Sequence, residues 1–229
     1  MKSVFKKVVY FFSYFLSKIP TSKPSLFFIK LGYAIRSESL FYKTNVREFK
    51  DRLEMHSYLS TDFTENQKIQ FLEFGVYKGQ TFALWMGNNR NPHSRFFGFD
   101  TFTGLPESWG RWKKGSFSAN GKLPDLADER GVFLVGLIQD TLPLNIGKIN
   151  PDENKVIHID VDIYSATLVT LINLLPILKK GDIIIFDDFF TVMVADHAFK
   201  AFFDFLATYT FSYRPLFKCR RGHFVIEVA

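Results

Sequence analysis

Residues 71–81 read FLEFGVYKGQT, an apolar strand that passes through two glycines into a helix. Gly75 and Gly79 let the chain turn sharply and let a ligand approach the backbone, while the first turn of the next helix offers unpaired N–H groups. The spacing E-x-G-x-x-x-G, which begins at Glu73, differs from the dinucleotide fingerprint G-x-G-x-x-G and from a phosphate-binding loop. Turns of this kind also occur as purely structural features, so both interpretations stay open.

Short apolar runs and helical patterns alternate on both sides of this turn. Runs typical of a buried parallel sheet occur at residues 69–74, 95–100, 132–136, 156–160 and 182–187. Helical periodicity covers residues 44–59, 80–86, 123–130, 165–178 and 194–209, and closing strands are predicted at 211–216 and 223–228. Alternating strands and helices predict βαβ units with right-handed crossovers, so we expect one doubly wound α/β domain.

The composition limits the class of protein. With 229 residues, 47% of them hydrophobic, the chain can bury a full core. Its single cysteine, Cys219, excludes an intramolecular disulfide and a cysteine-cluster metal site, which fits a reducing compartment. The net charge of +6 favours an acidic partner or surface. Because no basic motif with interleaved aromatic residues is present, we expect no nucleic-acid partner.

The positive charge is concentrated at the N-terminus, where residues 1–30 contain six lysines and no acidic residue. The apolar run at residues 8–16 is too short to span a bilayer. We therefore predict a basic, aromatic, helical arm over residues 1–44, followed by a catalytic domain over residues 45–229. Three uses of the arm remain open: a packing or dimerisation element, an interfacial helix at a membrane, or a cleaved signal.

Asp100 ends the second predicted strand, in the run FFGFD. In doubly wound folds a carboxylate at this strand end accepts hydrogen bonds from a ribose diol, although the same position also serves as a helix cap. Together with the glycine turn, it favours a nucleoside-containing ligand. The segment 101–124 is rich in Gly, Trp and Lys and too long for a simple connection, so it is predicted to be a functional loop or lid.

Four aspartates follow two further strands. HIDVDIY places Asp160 and Asp162 at the end of one strand, and IIIFDDF places Asp187 and Asp188 at the end of the next. The carboxyl ends of adjacent parallel strands share one crevice, where carboxylates repel unless they are protonated or bind a cation. Oxygen ligands favour Mg²⁺, with Ca²⁺ or Mn²⁺ as alternatives. The second aspartate of each pair also precedes a helix, and capping is the alternative role.

These motifs together resemble a known family. The runs EFGVYKGQT, GFDTFTGLPESW, GLIQDTLP, HIDVDIYSAT and KKGDIIIFDDF, within residues 45–205, are similar to the macrocin O-methyltransferase (TylF-like) family. That family comprises class I, S-adenosylmethionine-dependent and Mg²⁺-dependent methyltransferases that act on sugar hydroxyls of macrolide antibiotics. The resemblance implies a Rossmann-like, mostly parallel seven-stranded sheet whose last strand is antiparallel.

The resemblance also implies a role for each matching position. The glycine turn would shape the pocket for the methionine part of the cofactor, Asp100 would hold the ribose, and residues 139–141 would lie beside the adenine. The loop 101–112 would cover the cofactor. The Mg²⁺ ligands implied are Asp160, Asp187 and Asp188. The cofactor-binding residues implied are Glu73, Gly75, Tyr77, Gly79, Thr81, Asp100, Thr101, Gln139, Asp140, Thr141 and Asp160.

The predicted chemistry is in-line methyl transfer to an oxygen. A sugar hydroxyl is a poor nucleophile until it loses its proton, and Mg²⁺ bound to two vicinal oxygens would orient the acceptor and lower the hydroxyl pKa. We predict Asp160 as the base that takes this proton, with Asp162 second. His197 opens the helix after the DDF run and is a further catalytic candidate, although a single His on an apolar helix is more often structural.

The predicted function is therefore S-adenosylmethionine-dependent, Mg²⁺-assisted O-methylation of a sugar or glycosylated acceptor. Two alternatives remain: a methyltransferase of the same fold for a catechol or other small natural product, and a non-catalytic, membrane-associated binding or scaffold protein. We expect a cytoplasmic homo-oligomer with peripheral contact at the inner face of the membrane through the N-terminus.

Overall fold

The computed structural model describes residues 23–229 apart from positions 110, 127 and 221, so the predicted arm before residue 23 lies outside the described residues. In chain order the elements are α1 (Lys23–Lys43), β1 (Arg47–Phe49), α2 (Arg52–Tyr58), β2 (Gln70–Phe74), α3 (Gln80–Asn88), β3 (Arg95–Asp100), β4 (Gly131–Val135), α4 (Ile138–Asn145), β5 (Lys155–Ile159), α5 (Tyr164–Leu174), β6 (Ile183–Phe186), α6 (Ala198–Thr208), β7 (Tyr213–Cys219) and β8 (Phe224–Val228). A π-helical turn extends α2 over Leu59–Phe63, and 3₁₀ turns lie at Ile146–Lys148, Leu175–Ile177 and Val192–Val194.

The described strands form one eight-stranded sheet in the order β1-β7-β8-β6-β5-β2-β3-β4. Strands β4, β3, β2, β5 and β6 pair in parallel, and β1 pairs in parallel with β7. Only β8, among the described strands, runs antiparallel to its neighbours β6 and β7. The predicted doubly wound, mostly parallel sheet with an antiparallel last strand is therefore confirmed.

Two helical predictions are wrong in part. Within the helix expected over residues 44–59, Arg47–Phe49 pairs with β7 as an eighth strand, and Asp51 then caps α2 by accepting hydrogen bonds from Leu53 and Glu54 N–H. The helix expected over residues 123–130 is absent from the described part of that segment, which is irregular. Apolar spacing matched a helix at both places, but Arg47–Phe49 pairs at the sheet edge and the described part of residues 123–130 forms an irregular loop.

Aromatic residues fill both faces of the sheet. On one face Phe71 stacks on Trp85 of α3 at 4.7 Å, and on the other Phe74 stacks on Phe99 at 4.7 Å. All four side chains are fully buried, so they contribute a large share of the apolar area removed from water. These two layers hold the carboxyl ends of β2 and β3 at fixed positions.

Helix α1 packs against the segment after β6. Ser37 Oγ donates to Phe189 O at 3.3 Å, Lys30 pairs with Asp196 at 2.8 Å, and the Arg36 guanidinium lies 4.2 Å from the Phe203 ring. No helix among the described residues is long and apolar enough to cross a membrane. The predicted division at residue 44 and the membrane contact of the arm stay predictions.

A buried ion pair closes the edge of the sheet opposite the carboxyl strand ends. The side chains of Lys155 and Asp182 are fully buried, with Lys155 Nζ 3.3 Å from an Asp182 oxygen. Lys155 Nζ also donates to Pro151 O and Glu153 O at 2.8 Å each. Asp182 accepts in turn from the backbone N–H groups of Lys155 and Lys179, both at 2.9 Å. The carboxylate therefore joins β5 to β6 where both strands begin.

We expect Asp182→Ala to lower the free energy of unfolding by about 3–5 kcal/mol, because it leaves a buried ammonium group without its carboxylate. Urea denaturation measures the change. Asp152→Ala is the matched control, since Asp152 is an exposed carboxylate three residues before Lys155 that makes no ion pair with it, and it should change stability by no more than about 0.5 kcal/mol. Equal effects of the two substitutions would contradict a stabilising role for the buried pair.

Candidate active site

A cavity of about 900 Å³ opens where the carboxyl ends of β2, β3, β5 and β6 meet. Doubly wound sheets bind their ligands at this edge, and the volume falls in the range of small-molecule sites. The predicted site residues that line it are Glu73, Gly75, Tyr77, Thr81, Asp100, Thr101, Gln139, Asp160, Asp162, Asp187 and Asp188. The fold thus brings together residues from all of the motifs singled out in the sequence.

The glycine turn is required by a close backbone approach. Gly75 has a φ of +86°, and a Cβ built on it would lie 1.8 Å from the carbonyl oxygen of Asp160. Gly75 N–H donates to Phe99 O at 2.9 Å, so the residue ties β2 to β3 while it touches the end of β5. Tyr77 follows with a φ of 53° and faces the cavity. Only glycine fits this junction of three strands.

Asp100 uses both carboxylate oxygens to hold the backbone around the cavity. One oxygen accepts from the N–H groups of Val76 and Tyr77, each at 2.7 Å, and the other accepts from Phe102 N–H at 2.7 Å. The side chain therefore fixes the glycine turn and the first residues of the following loop. It still lines the cavity, so its outer lone pairs remain able to meet a ligand hydroxyl.

Three of the predicted cofactor residues do not line the cavity within the described part of the chain: Gly79, Asp140 and Thr141. Gly79 provides the left-handed residue that starts α3, and a Cβ there would meet the Pro124 ring at 2.7 Å. Asp140 is exposed, and Thr141 donates its hydroxyl to Leu137 O at 3.1 Å within α4. Gln139 alone of the 139–141 run faces the cavity.

The segment after Asp100 folds over the cavity as a packed lid. Trp109 and Trp112 stack at 4.6 Å and exchange backbone hydrogen bonds of 2.8 and 2.9 Å. Gly104, with a φ of +90°, lets this loop approach the Ser116 carbonyl, which a Cβ would meet at 2.5 Å. Phe117 packs 5.6 Å from Trp112 and also lines the cavity. The predicted lid is therefore an ordered aromatic wall.

Mutual repulsion and burial act on the aspartates of the cavity. Burial, together with the charges of Asp187 and Asp188, raises the pKa of Asp162 to about 8. Burial and the neighbouring carboxylates raise the pKa of Asp160 well above its usual range, and burial with the charge of Asp187 raises that of Asp188 to about 6. Asp160 and Asp162 therefore need a proton or a bound cation near neutral pH, whereas Asp188 is mostly ionised there. Asp162 also has a φ of 63°, a left-handed conformation that aspartate adopts more readily than most residues.

A row of buried charged groups lies beneath these aspartates, and sequence reasoning missed its histidines. Glu73 on β2 is paired in register with His158 on β5, and their side chains meet at 3.0 Å. His158 Nε2 lies 3.9 Å from Asp187 Oδ1, and His223 Nε2 also lies against that oxygen. We call Glu73, His158, Asp187 and His223 the buried row. The signal was available in HIDVDIY, where alternation puts residues 158, 160 and 162 on one side.

The buried row holds its charges by mutual pairing. Burial opposes a charged imidazole, yet Asp187 and Glu73 raise the pKa of His158 to about 9. Burial likewise opposes charge on His223, and Asp187 raises its pKa to about 9. Although burial acts in the other direction, the two imidazoles hold the pKa of Asp187 well below its usual range. A third buried histidine, His56 of α2, accepts from Trp85 Nε1–H at 3.0 Å and covers the row.

The predicted metal ligands divide into two environments. A ring nitrogen of His158 and one oxygen each of Asp160 and Asp187 lie within 4.8 Å of one another, which is close enough for one metal ion. Asp188 Oδ1 instead accepts from Thr191 Oγ1–H at 2.7 Å. The predicted catalytic candidate His197 lies outside the cavity lining, accepts from Tyr164 N–H at 3.3 Å and packs against Trp109. Its position is behind the lid.

Both the sequence and the fold of this chain are similar to those of known proteins. The profile of a family described as "Methyltransferase domain" matches residues 72–189. No curated protein sequence matches the chain. The solved structure of CalS11, a calicheamicin methyltransferase, is similar with a TM-score of 0.58 and 23% identity, over 91% of this chain and 94% of that one.

Two further solved structures show the same fold. The O-methyltransferase NovP has a TM-score of 0.55 and 21% identity over 77% of this chain and 78% of its own. A structure of CalS11 without ligand, described as a TDP-rhamnose 3'-O-methyltransferase, has a TM-score of 0.53 and 22% identity over 91% of this chain and 96% of its own. The predicted class I methyltransferase fold is therefore confirmed.

We expect Gly75→Ala to destabilise the protein by about 2–4 kcal/mol, since the added methyl group meets a backbone oxygen and φ is left-handed. Chemical denaturation of the purified variant measures this. Gly87→Ala is the control, because Gly87 is an exposed residue of α3 with open space around its Cα. That substitution should be neutral or stabilise by up to about 1 kcal/mol. A tolerated Gly75→Ala would contradict the close approach of β2 and β5.

Proposed function

The chain belongs to the methyltransferase-domain family, and on that premise we propose that it methylates a hydroxyl of a sugar or glycosylated acceptor with S-adenosylmethionine and a divalent cation. One observation carries the proposal: a single cavity joins a glycine turn, the strand-end carboxylate Asp100 and a cluster of aspartates. The first two suit a nucleoside cofactor, and the third suits a cation or a proton transfer. Membership of the macrocin-type branch is part of this proposal.

The cavity fits the cofactor in size and in chemistry. Gly75 and Thr81, at the turn and the start of α3, would hold the methionine part, and Asp100 would offer lone pairs to the ribose hydroxyls. Gln139 and the buried Ile138 lie where an adenine would need one polar and one apolar neighbour. Trp109 and its stacked partner exclude water from above. Bound S-adenosylmethionine supplies an electrophilic methyl group.

The protein's own residues prepare the acceptor. An aliphatic hydroxyl needs a nearby base, and two cavity aspartates are candidates. Asp160 belongs to the group that could hold a cation, and a carboxylate that coordinates a cation is a weaker base. Asp162 stands outside that group, and its left-handed backbone directs it to the cavity. We therefore propose Asp162 as the proton acceptor, in the ionised form that predominates above its pKa of about 8, and Asp160 as a cation ligand. This reverses the order expected from the sequence.

The cavity lining also favours a class of acceptor. Three cationic side chains, Arg52, Lys78 and Arg111, line it together with the aromatic lid. Cationic groups suit a sugar that carries phosphate, and the aspartates suit its hydroxyls. One of the solved structures of this fold is described as acting on TDP-rhamnose. A nucleotide-linked sugar is therefore the acceptor class that we would test first. Free sugars and catechols are the other two classes to test.

Location and assembly also belong to the proposal. Six lysines precede residue 31, and α1 exposes Ile35 and Tyr42, with 59% and 76% of their surface accessible. A basic segment that precedes, along the chain, a helix with exposed apolar side chains suits peripheral contact with an anionic membrane. We propose a cytoplasmic homo-oligomer that makes this contact.

The first experiment is calorimetric titration of S-adenosylmethionine into the purified full chain, followed by methyl transfer to the three acceptor classes, detected by mass spectrometry. We expect micromolar binding and one added methyl group on a sugar hydroxyl. Product on catechols alone would replace the sugar acceptor with a small aromatic one. Absence of cofactor binding under all conditions would overturn the enzyme and favour a binding protein. Asp182→Ala serves as a control for general loss of stability, since its site lies at the other edge of the sheet.

Asp162→Asn separates proton transfer from binding. Asn tolerates the left-handed backbone at this position, so the fold should persist. We expect kcat to fall by about 10²- to 10⁴-fold while the Kd for S-adenosylmethionine stays the same. The control is Asp140→Asn, an equal change of charge at an exposed residue outside the cavity lining, which should leave kcat unaltered. Retention of full activity by Asp162→Asn would eliminate it as the base.

A further inference from the structure

We propose that the cation site of this cavity is a mixed nitrogen–oxygen site, with His158, Asp160 and Asp187 as protein ligands, and that it selects a divalent transition-metal ion such as Mn²⁺ or Zn²⁺ over Mg²⁺. The inference deepens the proposed function and rests on it for the role of the ion. The existence and the ligands of the site are testable without activity.

The sheet itself brings the three groups together. His158 is the fourth residue of β5, and Asp160 follows two positions later on the same side of the strand. Asp187 follows the β6 residue that is paired with Ile159, so it stands beside Asp160. The ligand atoms lie within 4.8 Å of one another. Two ligand atoms bound to one ion at about 2.0–2.2 Å lie at most about 4.4 Å apart, so the group would contract around a bound ion.

The orientation of His158 supplies the second, independent observation. The residue is 1% exposed, and its Nδ1 meets the Glu73 carboxylate at 3.0 Å. Its other nitrogen, Nε2, is buried and has no hydrogen-bond partner among the described residues. A carboxylate that fixes one ring nitrogen is the usual support of a metal-binding histidine, and a cation that binds the other nitrogen would displace the proton it carries in the ion-paired row. Glu73 therefore acts as the positioning residue of the site.

Beside Asp187, His158 Nε2 is a buried atom that lacks a hydrogen-bond partner among the described residues. Asp187 Oδ1 and His223 Nε2 are also buried, but they form an ion pair with each other. His158 Nε2 lies 3.9 Å from the same oxygen, beyond hydrogen-bond distance. Buried polar atoms are seldom left unpaired, and an ion bound beside Asp187 would pair this nitrogen. His223, directly before β8, would keep its contact with the ligated Asp187.

The ligand types decide which ion is preferred. Mg²⁺ prefers oxygen ligands in near-ideal octahedral geometry, whereas imidazole suits Zn²⁺ and other first-row transition metals. An all-oxygen triad would need Asp188, but its Oδ1 accepts from Thr191 Oγ1–H at 2.7 Å and it lies outside the group. The arrangement therefore departs from the Mg²⁺ triad that the sequence predicted, because a histidine takes the place of the third aspartate.

The experiment titrates chelator-treated full chain with MnCl₂, ZnCl₂ and MgCl₂, with and without S-adenosylhomocysteine. We expect one ion per chain and a Kd for Mn²⁺ and Zn²⁺ at least about tenfold below that for Mg²⁺. Pulsed electron paramagnetic resonance of bound Mn²⁺ should show coupling to an imidazole nitrogen. His158→Gln should remove that coupling and weaken Mn²⁺ binding by more than about 100-fold, with Mg²⁺ affinity little changed.

Two controls keep the result interpretable. His56→Gln removes an equally buried histidine of the same region that is outside the proposed ligand set, and it should retain the nitrogen coupling. Glu73→Gln leaves all three ligands in place and should weaken Mn²⁺ binding by about 10- to 100-fold, which covers the case in which His158→Gln does not fold.

The outcomes separate this inference from the proposed function. Mn²⁺ bound without nitrogen coupling, or equal affinity for Mg²⁺ that survives His158→Gln, would show an oxygen-only site and overturn the inference. Failure of every ion to bind, with or without S-adenosylhomocysteine, would show that protons alone balance the buried row and would also overturn it. Binding of S-adenosylmethionine in that case would leave methyl transfer standing. A nitrogen-coupled ion in a chain that binds no cofactor would overturn the proposed function alone.

Discussion

The contact between Gly75 and the carbonyl of Asp160 is the constraint on which the cavity depends. A side chain at Gly75 would occupy the space of that oxygen, so the ends of β2 and β5 approach only because the residue has none. This approach sets Glu73 beside His158, and it brings Asp160 to the floor of the cavity. The same turn is held from the other side by Asp100, whose carboxylate accepts two of its N–H groups. Cofactor pocket and carboxylate cluster therefore share one backbone junction.

Burial of charge is the second determinant of the site. A carboxylate inside a protein is costly unless it is paired, and the fold pairs Asp187 with two imidazoles while it leaves Asp160 and Asp162 facing other carboxylates. The balance of charge therefore changes within a short distance. Around Asp187 the negative charge is balanced by histidines, whereas around Asp160 and Asp162 negative charge is in excess. A cation or an acceptor proton is drawn to that boundary. The two halves of the cavity thus have different chemistry although they share the same strand ends.

Much of this arrangement could be predicted from the sequence, and the limits have physical causes. The succession of strands along the chain and the positions of Asp100, Asp160 and Asp187 follow from local apolar runs and from the rule that parallel strands end at one edge. The strand Arg47–Phe49 could not be predicted, because three residues carry no periodicity and their pairing with β7 joins distant parts of the chain. The buried histidines were missed because a histidine inside a strand reads as an ordinary core position until cross-strand register places it beside a carboxylate.

The distinction between Asp160 and Asp162 shows how register determines chemistry at this site. The two residues are separated by one position and have the same side chain, yet they follow the end of β5 at Ile159 in different backbone conformations. Asp160 N–H still pairs with Phe74 O at 2.8 Å, so this residue keeps the direction of the strand and its carboxylate faces the group of His158 and Asp187. Asp162 has left the strand with a φ of 63° and faces the open cavity. A rigid carboxylate suits a cation ligand, and one at the mouth of the cavity suits an acceptor hydroxyl. The end of a single strand therefore provides both functions.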